Sequence, residues 1–161
     1  MDEKKALLKC ADWCSRQERC ISEVRDKLVR MGVDSQDVGS IIERLVEEKY
    51  IDEKRYISFY INDKFRFKGW GRIKIRYQLA SRGLNADDVE DAICRMDEEE
   101  YESALYDLLA SKKKTMRNKD VWQQKMSLVR YAYSRGFEYE CIKRVLARLN
   151  IRPADDSDDI G

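Results

Sequence analysis

The sequence contains no histidine, one proline and only seven glycines among its 161 residues. The absence of histidine removes the commonest general base and the commonest metal ligand. The scarcity of proline and glycine argues against an all-β sandwich, which needs a turn about every 8–12 residues. Apolar residues make up 43% of the chain but are dispersed, so we expect no membrane span. These shortages favour helices with short connections.

Five cysteines are present, but none forms a Cys-x-x-Cys pair. The odd number and the spacing argue against a disulfide framework and against a zinc site. We interpret the thiols as small buried residues in a reducing cytoplasm, and no signal-peptide h-region follows Met1. The numerous carboxylates lack a histidine partner and metal-like spacing. We therefore expect no enzyme, no metal and no cofactor.

The net charge of +1 conceals strongly charged segments. Residues 64–82 hold seven basic residues and no acid, and residues 101–152 hold twelve basic and five acidic residues. Residues 153–161 hold four aspartates and no base. The chain therefore combines basic regions with an acidic tail.

An internal repeat is centred on three glycines, Gly32, Gly83 and Gly136, which are 51 and 53 residues apart. The residues 8 and 4 before each glycine, and 6, 10 and 13 after it, are apolar in every case. These positions are Val24, Leu28, Val38, Ile42, Leu45, Ile75, Leu79, Val89, Ile93, Met96, Leu128, Ala132, Ile142, Leu146 and Leu149. The offsets are helical on both sides, and glycine suits the left-handed turn that ends a helix.

Each repeat therefore predicts a helix, a glycine turn and a second helix, with room for one more helix before the pair. Asp34 or Ser35, Asn85 and Glu138 stand near the start of the second helices, and Asp52 stands as the N-cap of a helix over 53–67. We predict an all-α fold of three tandem three-helix repeats that form an extended, curved helical array. The predicted repeats are 1–51, 52–97 and 98–152, followed by a disordered acidic tail, 153–161.

The segment 73–79 alternates apolar and polar residues, as a strand would. Its counterparts at 21–31 and 125–135 do not alternate, so the repeat predicts a helix here. On that helix, the stems of Arg72 and Arg76 should lie along apolar surface with their guanidinium ends reaching out. Lys74, Gln78 and Ser81 should face solvent.

The segment 64–72 interleaves basic and aromatic residues, a mixture typical of nucleic-acid surfaces. The alternative is a helix end whose aromatics are buried and whose basic face is solvated. Phe65 and Phe67 cannot both face one way on a helix. The run 112–114 is either a solvated loop or a contact to an acidic partner or phosphate, and 97–100 reads as an acidic helix N-terminus. The candidate binding residues are Lys64, Arg66, Lys68, Trp70, Arg72, Lys74, Arg76, Arg82, Lys112, Lys113, Lys114 and Arg135.

With the repeats in place, the chain resembles the RecX family of recombinase regulators over roughly residues 6–149. The resemblance is carried by the order and spacing of four segments. They are Ser22-Glu23-Val24-Arg25-Asp26-Lys27-Leu28, Tyr50-Ile51-Asp52-Glu53-Lys54-Arg55-Tyr56, Lys68-Gly69-Trp70-Gly71-Arg72-Ile73 and Ser134-Arg135-Gly136-Phe137. The resemblance implies three tandem three-helix units and a non-enzymatic protein of DNA recombination and repair, including the SOS response. It implies binding to the recombinase RecA, or to its filament on single-stranded DNA, and restraint of that filament.

Two functions therefore remain open at the level of sequence. The chain is either a regulator that binds recombinase filaments or a helical protein that binds single- or double-stranded DNA directly. Binding to naked DNA that is salt-sensitive and as tight as binding to the recombinase would favour the second. We expect a monomer with no membrane partner.

The acidic tail generates a first prediction. The tail carries a charge of −4, so it can fold back on residues 101–152, whose net charge is +7, and compete with an anionic partner. Alternatively, it serves solubility alone. Autoinhibition predicts that deletion of 153–161 tightens binding to DNA or filaments, mostly at low salt where charges are least screened. Equal affinity of the deleted and full-length chains at low and moderate salt would leave the tail without a regulatory role.

Overall fold

A computed structural model describes residues 1–117 and 120–151. Within these ranges the chain forms nine α-helices and no strand, which confirms the all-α prediction. The helices are α1 (Glu3–Arg16), α2 (Ile21–Arg30), α3 (Ser35–Glu47), α4 (Glu53–Arg66), α5 (Arg72–Ser81), α6 (Ala86–Cys94), α7 (Glu98–Lys113), α8 (Val121–Ser134) and α9 (Tyr139–Leu149). The alternating segment 73–79 lies inside α5 and is helical, as the repeat predicts. The predicted tail, 153–161, lies outside the described residues.

The three glycine turns have the same geometry. Gly32, Gly83 and Gly136 all have positive φ, at 77°, 75° and 96°. In each turn the residue after the glycine donates its backbone N–H to the carbonyl five residues earlier, at 3.1, 3.3 and 3.2 Å. That residue is Val33, Leu84 or Phe137, and its apolar side chain is buried. Each turn is thus a Schellman motif closed by an apolar contact, and all fifteen apolar repeat positions are buried or half-buried.

The residues near the predicted helix starts divide into two groups. Asp52 and Asn85 accept backbone hydrogen bonds from Arg55 (3.1 Å) and Asp88 (3.0 Å), so they act as expected. Asp34 and Glu138 occupy N-cap positions but make no side-chain cap bond. The carboxylate of Glu138 instead accepts hydrogen bonds from side chains of other helices, so its position at a helix start is not its main role.

The described chain divides into two compact units, and each has its own core. Unit 1 comprises residues 1–62 and 78–92, and unit 2 comprises 63–77 and the described residues from 93 onward. This division runs through α4, α5 and α6, whereas the repeat boundaries 1–51, 52–97 and 98–152 are a division by sequence and stay a prediction. None of the helices described is long and apolar enough to cross a membrane.

In unit 1, helices α1, α2 and α3 pack on one another around a core of aliphatic side chains and thiols. Cys10, Val24, Leu28 and Leu45 are fully buried there. The side chain of Glu53 accepts a hydrogen bond from the Ile21 backbone N–H at 3.0 Å. A carboxylate from the start of α4 therefore satisfies one of the free N–H groups at the start of α2.

In unit 2, helices α7, α8 and α9 pack together, and three aromatic rings lie in sequence in the core. The ring of Tyr101 lies 5.7 Å from that of Phe65 and 5.1 Å from that of Phe137, measured between centroids. Tyr101 and Phe137 are almost completely buried. Aromatic pairs at these separations stabilise beyond the area that they bury.

The start of α5 lies directly against the third glycine turn. The N–H groups of Gly71 and Ile73 donate to the carbonyls of Arg135 (2.7 Å) and Gly136 (2.9 Å). A Cβ added to Gly71 would lie 2.6 Å from the Gly136 carbonyl carbon, and one added to Gly136 would lie 2.6 Å from the Lys74 backbone nitrogen. The two backbones can come this close only because both Gly71 and Gly136 lack a side chain.

The turn glycines should therefore differ in how they tolerate alanine. Gly136→Ala should lower the free energy of unfolding by about 3 kcal/mol or more, because strain at positive φ is joined by a clash with backbone. Gly32→Ala meets nothing within 4 Å and should cost roughly 1–2 kcal/mol from φ alone. Urea denaturation followed by circular dichroism measures both.

Gly39 provides the control, because it lies inside α3 and an added Cβ meets nothing within 4 Å. Gly39→Ala should raise the free energy of unfolding by roughly 0.5–1 kcal/mol through helix propensity. Equal losses for Gly136→Ala and Gly32→Ala would contradict the close approach of the two backbones.

Candidate functional site

The loop between α4 and α5 presents Trp70 between two glycines, Gly69 and Gly71. Gly69 has a φ of 69°, and the backbone N–H of Trp70 donates to the Lys64 carbonyl at 3.0 Å. These features turn the chain sharply after α4. Trp70 is half-buried as a result, and its ring lies between the end of α4 and the start of α5.

Two lysines lie over the ring of Trp70. The Nζ atoms of Lys64 and Lys74 are 5.2 and 4.7 Å from the ring centroid. Both distances allow attraction between the ammonium and the aromatic face. The prediction that Lys74 faces solvent is wrong: it is half-buried, since the loop folds the indole back against the first turn of α5. Phe65 is buried and Phe67 is exposed, so the two rings do point apart.

A second group of cations is gathered by Arg135, the C-cap of α8. Its Nη1 donates to the Lys68 carbonyl at 2.8 Å, and its guanidinium carbon lies 5.3 Å from the ring centroid of Tyr131. The Nζ of Lys112 lies 5.0 Å from the same ring. Two predicted residues from distant segments, Lys112 and Arg135, therefore meet at the ring of Tyr131, which sequence reasoning missed. The only available signal was that Tyr131 precedes Arg135 by one helical turn.

We call this group the cationic surface. It consists of Lys64, Lys68, Trp70, Lys74, Lys112, Tyr131 and Arg135, all in unit 2. The loop between α4 and α5 connects the Trp70 group with the Tyr131 group. Its Trp70 N–H donates to the Lys64 carbonyl, and its Lys68 carbonyl accepts from Arg135. The arrangement offers the ammonium groups of three lysines and one guanidinium held at aromatic rings, together with the exposed Lys68, which suits an anionic partner.

Arg72 has a different role from the one predicted. Its side chain is only 11% exposed, and its guanidinium carbon lies 3.8 Å from the ring centroid of Tyr101. Its Nη1 and Nη2 donate to the carboxylates of Glu138 (3.1 Å) and Glu98 (2.6 Å). The prediction that its guanidinium reaches out is therefore wrong, because two carboxylates and a ring hold it inside unit 2.

Tyr101 completes this buried network. Its hydroxyl donates to Glu138 and accepts from the backbone N–H of Arg72 at 2.9 Å. Burial, together with the hydrogen bond to Glu138, raises the pKa of Tyr101 far above its ordinary value. The phenol therefore stays protonated and acts as a permanent donor. Sequence reasoning missed Tyr101 and Glu138 as partners because they lie far from Arg72 along the chain.

The remaining predicted residues lie apart from the cationic surface. Arg66 is exposed and pairs with Glu100 at 3.1 Å, and Arg76 is half-buried on α5. Lys113 and Lys114 end α7, where cations suit the helix dipole. Arg82 belongs to unit 1, where its guanidinium carbon lies 5.0 Å from the ring centroid of Tyr60.

The acidic run at the start of α7 is a helix N-terminus, as predicted. Asp97 is the N-cap, and its carboxylate accepts the backbone N–H of Glu100 at 2.8 Å. Within residues 1–117 and 120–151, no group of three or more cysteine, aspartate or glutamate residues could hold a metal ion. Four of the five thiols are buried, and burial raises the pKa of Cys14 to about 11, so it stays a protonated thiol.

Comparison with known proteins identifies relatives along most of the chain. Family models for the first, second and third three-helix domains of RecX match residues 6–45, 52–93 and 98–146. The chain is 33% identical over 151 residues to a regulatory protein RecX of Clostridium botulinum, covering 89% of this chain and 69% of that protein. It is 30% identical over 149 residues to one of Prosthecochloris aestuarii, covering 92% of this chain and 95% of that protein.

Solved structures support the fold. A crystal structure of RecX from Lactobacillus salivarius matches with a TM-score of 0.82 and 20% identity, covering 92% of this chain and 96% of that one. A crystal structure of a regulatory protein RecX matches with a TM-score of 0.83 and 21% identity, covering 90% of this chain and 73% of that one.

The buried network generates a prediction about stability. Arg72→Gln should lower the free energy of unfolding by about 2–3 kcal/mol, because Glu138 and the Tyr101 hydroxyl lose their cation in a partly desolvated site. Arg66→Gln is the matched control, since its pair with Glu100 is exposed on both sides, and it should change stability little. Urea denaturation of both variants decides; equal effects would show that Arg72 is a surface residue.

Proposed function

Because the chain belongs to the RecX family of regulatory proteins, we propose that it regulates the recombinase RecA. It binds RecA, or the RecA filament on single-stranded DNA, and inhibits ATP hydrolysis and strand exchange. It carries out no chemistry of its own and acts in the cytoplasm as a monomer. The family membership supports the regulatory role, and the geometry of unit 2 supports the choice of surface.

The cationic surface is the observation that carries this proposal. A filament on single-stranded DNA presents phosphates and carboxylates, and a cluster of cations attracts such a target over a range set by salt. Aromatic contacts hold Lys64, Lys74 and Lys112 above rings, so fewer rotamers are lost on binding. Preorganised cations favour affinity for an anionic partner.

The residues around this surface contribute unequally. Arg66 pairs with Glu100, and Lys64 pairs with its neighbour Asp63 at 3.6 Å, so each of these cations exchanges one anion for another on binding. Arg72 is held inside unit 2 and forms no part of the proposed interface. Lys113 and Lys114 extend the positive region at the end of α7. Lys68 is exposed on the loop that carries Trp70 and is the natural first contact.

A second function, direct binding to nucleic acid, is favoured by the same aromatic and cationic composition. Bases stack on aromatic rings and cations neutralise phosphates. The two functions differ in one measurement. Affinity for naked single-stranded DNA that equals affinity for the filament supports direct binding, and much tighter binding to the filament supports a regulator of RecA.

Neutralising the cationic surface should weaken binding to the filament. The triple variant Lys64→Gln, Lys68→Gln, Lys74→Gln should require a higher concentration to inhibit RecA ATPase on single-stranded DNA. Its binding should also depend less on salt, by roughly 0.7 units of log–log slope for each lost phosphate contact on a single strand. The measurements are ATP hydrolysis with the variant titrated in, and filament binding across a salt series.

The control neutralises three exposed lysines of α1 in unit 1, Lys4, Lys5 and Lys9. The change in net charge is the same, so a general effect of charge would appear in both variants. An unchanged salt slope in the Lys64, Lys68 and Lys74 variant would show that this surface is only solvated.

A further inference from the structure

Unit 1 contains a second cation–aromatic cluster, centred on Trp13. The guanidinium carbon of Arg19 lies 4.0 Å from the ring centroid of Trp13, and the Nζ of Lys27 lies 4.6 Å from it. Trp13 packs against the core of unit 1, so the indole is a fixed platform. Arg19 and Lys27 are half-buried, which leaves part of each cation accessible.

Neither cation forms an ion pair with an acid of residues 1–117 or 120–151. Among the residues that the structure describes, no carboxylate oxygen lies within 4.0 Å of either one, and the buried Nε of Arg19 has no acceptor. Two acids near them in sequence have other partners: Glu18 pairs with Arg55, and Glu23 accepts the Cys20 backbone N–H at 3.1 Å. Two like charges gathered on one ring repel each other, so an external anion would stabilise the cluster.

The position of the cluster in the repeat argues that it is not accidental. Trp13 and Lys64 stand nineteen residues before Gly32 and Gly83, and Arg19 and Trp70 stand thirteen before them. The aromatic residue stands first in one repeat and second in the other. In both repeats the cation lies over the ring, Arg19 at 4.0 Å from the centroid of Trp13 and Lys64 at 5.2 Å from that of Trp70. In the third repeat the same positions hold Arg117 and Gln123, which provide no ring. On a surface that only faces solvent, nothing would require one of these two positions to be aromatic and the other to be cationic.

We propose that Trp13, Arg19 and Lys27 form a second anion-binding site, in unit 1, that contacts the phosphate backbone of single-stranded nucleic acid. Two features favour nucleic acid over an acidic protein segment. A phosphodiester strand carries an anion at every nucleotide, so it meets separate cation sites without matched spacing. A guanidinium stacked on an indole also offers its second face to a base. The site rests on the proposed function only in taking single-stranded DNA as the polyanion.

The first experiment measures binding of the full-length chain to a fluorescent oligothymidylate by anisotropy across a salt series, without recombinase. Arg19→Gln, Lys27→Gln should weaken binding several-fold at low salt and lower the log–log salt slope by about 1.4 units, for two single-strand phosphate contacts. The matched control is the double variant Arg25→Gln, Arg30→Gln. Both arginines are exposed on α2, and their replacement removes the same charge as the Arg19→Gln, Lys27→Gln variant. The control should leave the slope nearly unchanged.

The second experiment follows Trp13 directly. With Trp70→Phe and Trp122→Phe, Trp13 is the sole tryptophan, and oligothymidylate should change its emission in a way that added salt reverses. Circular dichroism verifies that each variant is folded. An unchanged emission, an unchanged slope, or equal slope losses in the two double variants would each overturn the second site.

These outcomes are separable from the fate of the proposed function. If the chain fails to inhibit RecA ATPase, the regulatory proposal is overturned, while the oligothymidylate measurements still decide on Trp13. If Arg19→Gln, Lys27→Gln weakens binding to the filament but leaves binding to the oligonucleotide intact, the cluster contacts protein. That result would overturn its assignment to nucleic acid.

Discussion

The close approach of Gly71 to Gly136 is the contact on which the rest of unit 2 depends. It lets the N–H groups of Gly71 and Ile73 donate to the carbonyls of Arg135 and Gly136, directly after α8. The Arg72 N–H between them donates to the Tyr101 hydroxyl, so the start of α5 is satisfied within unit 2. Trp70 lies immediately before this contact and Lys74 shortly after it, and Arg135 is part of it. This backbone contact therefore positions the residues whose side chains form the cationic surface.

The sequence was sufficient for what depends on local periodicity. The fifteen apolar positions around Gly32, Gly83 and Gly136 predicted helices and turns correctly, and they overrode the alternating pattern of 73–79. Helical spacing is a property of neighbours three and four residues apart, so a repeated pattern reveals it. The glycine turns were equally accessible because positive φ selects glycine.

The functional side chains were less predictable, because their environment is set by contacts between distant segments. Arg72 and Lys74 are separated by a single residue and both looked like surface cations. One is enclosed by Tyr101 and the carboxylates of Glu98 and Glu138, and the other lies over Trp70. No sequence pattern within ten residues of Arg72 indicates that Tyr101 of α7 and Glu138, at the start of α9, contact it. The same distance in sequence hid Tyr131.

The three Schellman turns share one backbone geometry, but they differ in which residues could replace their glycines. At Gly32 and Gly83 the requirement is conformational alone, and nothing lies within 4 Å of an added Cβ. Asparagine, which also adopts the left-handed conformation, meets that requirement at modest cost. At Gly136 the space itself is occupied by the backbone of Lys74, so every residue with a side chain is excluded. Three turns of one repeated pattern are thus free to change to different extents, and the third should be the slowest to change across lineages.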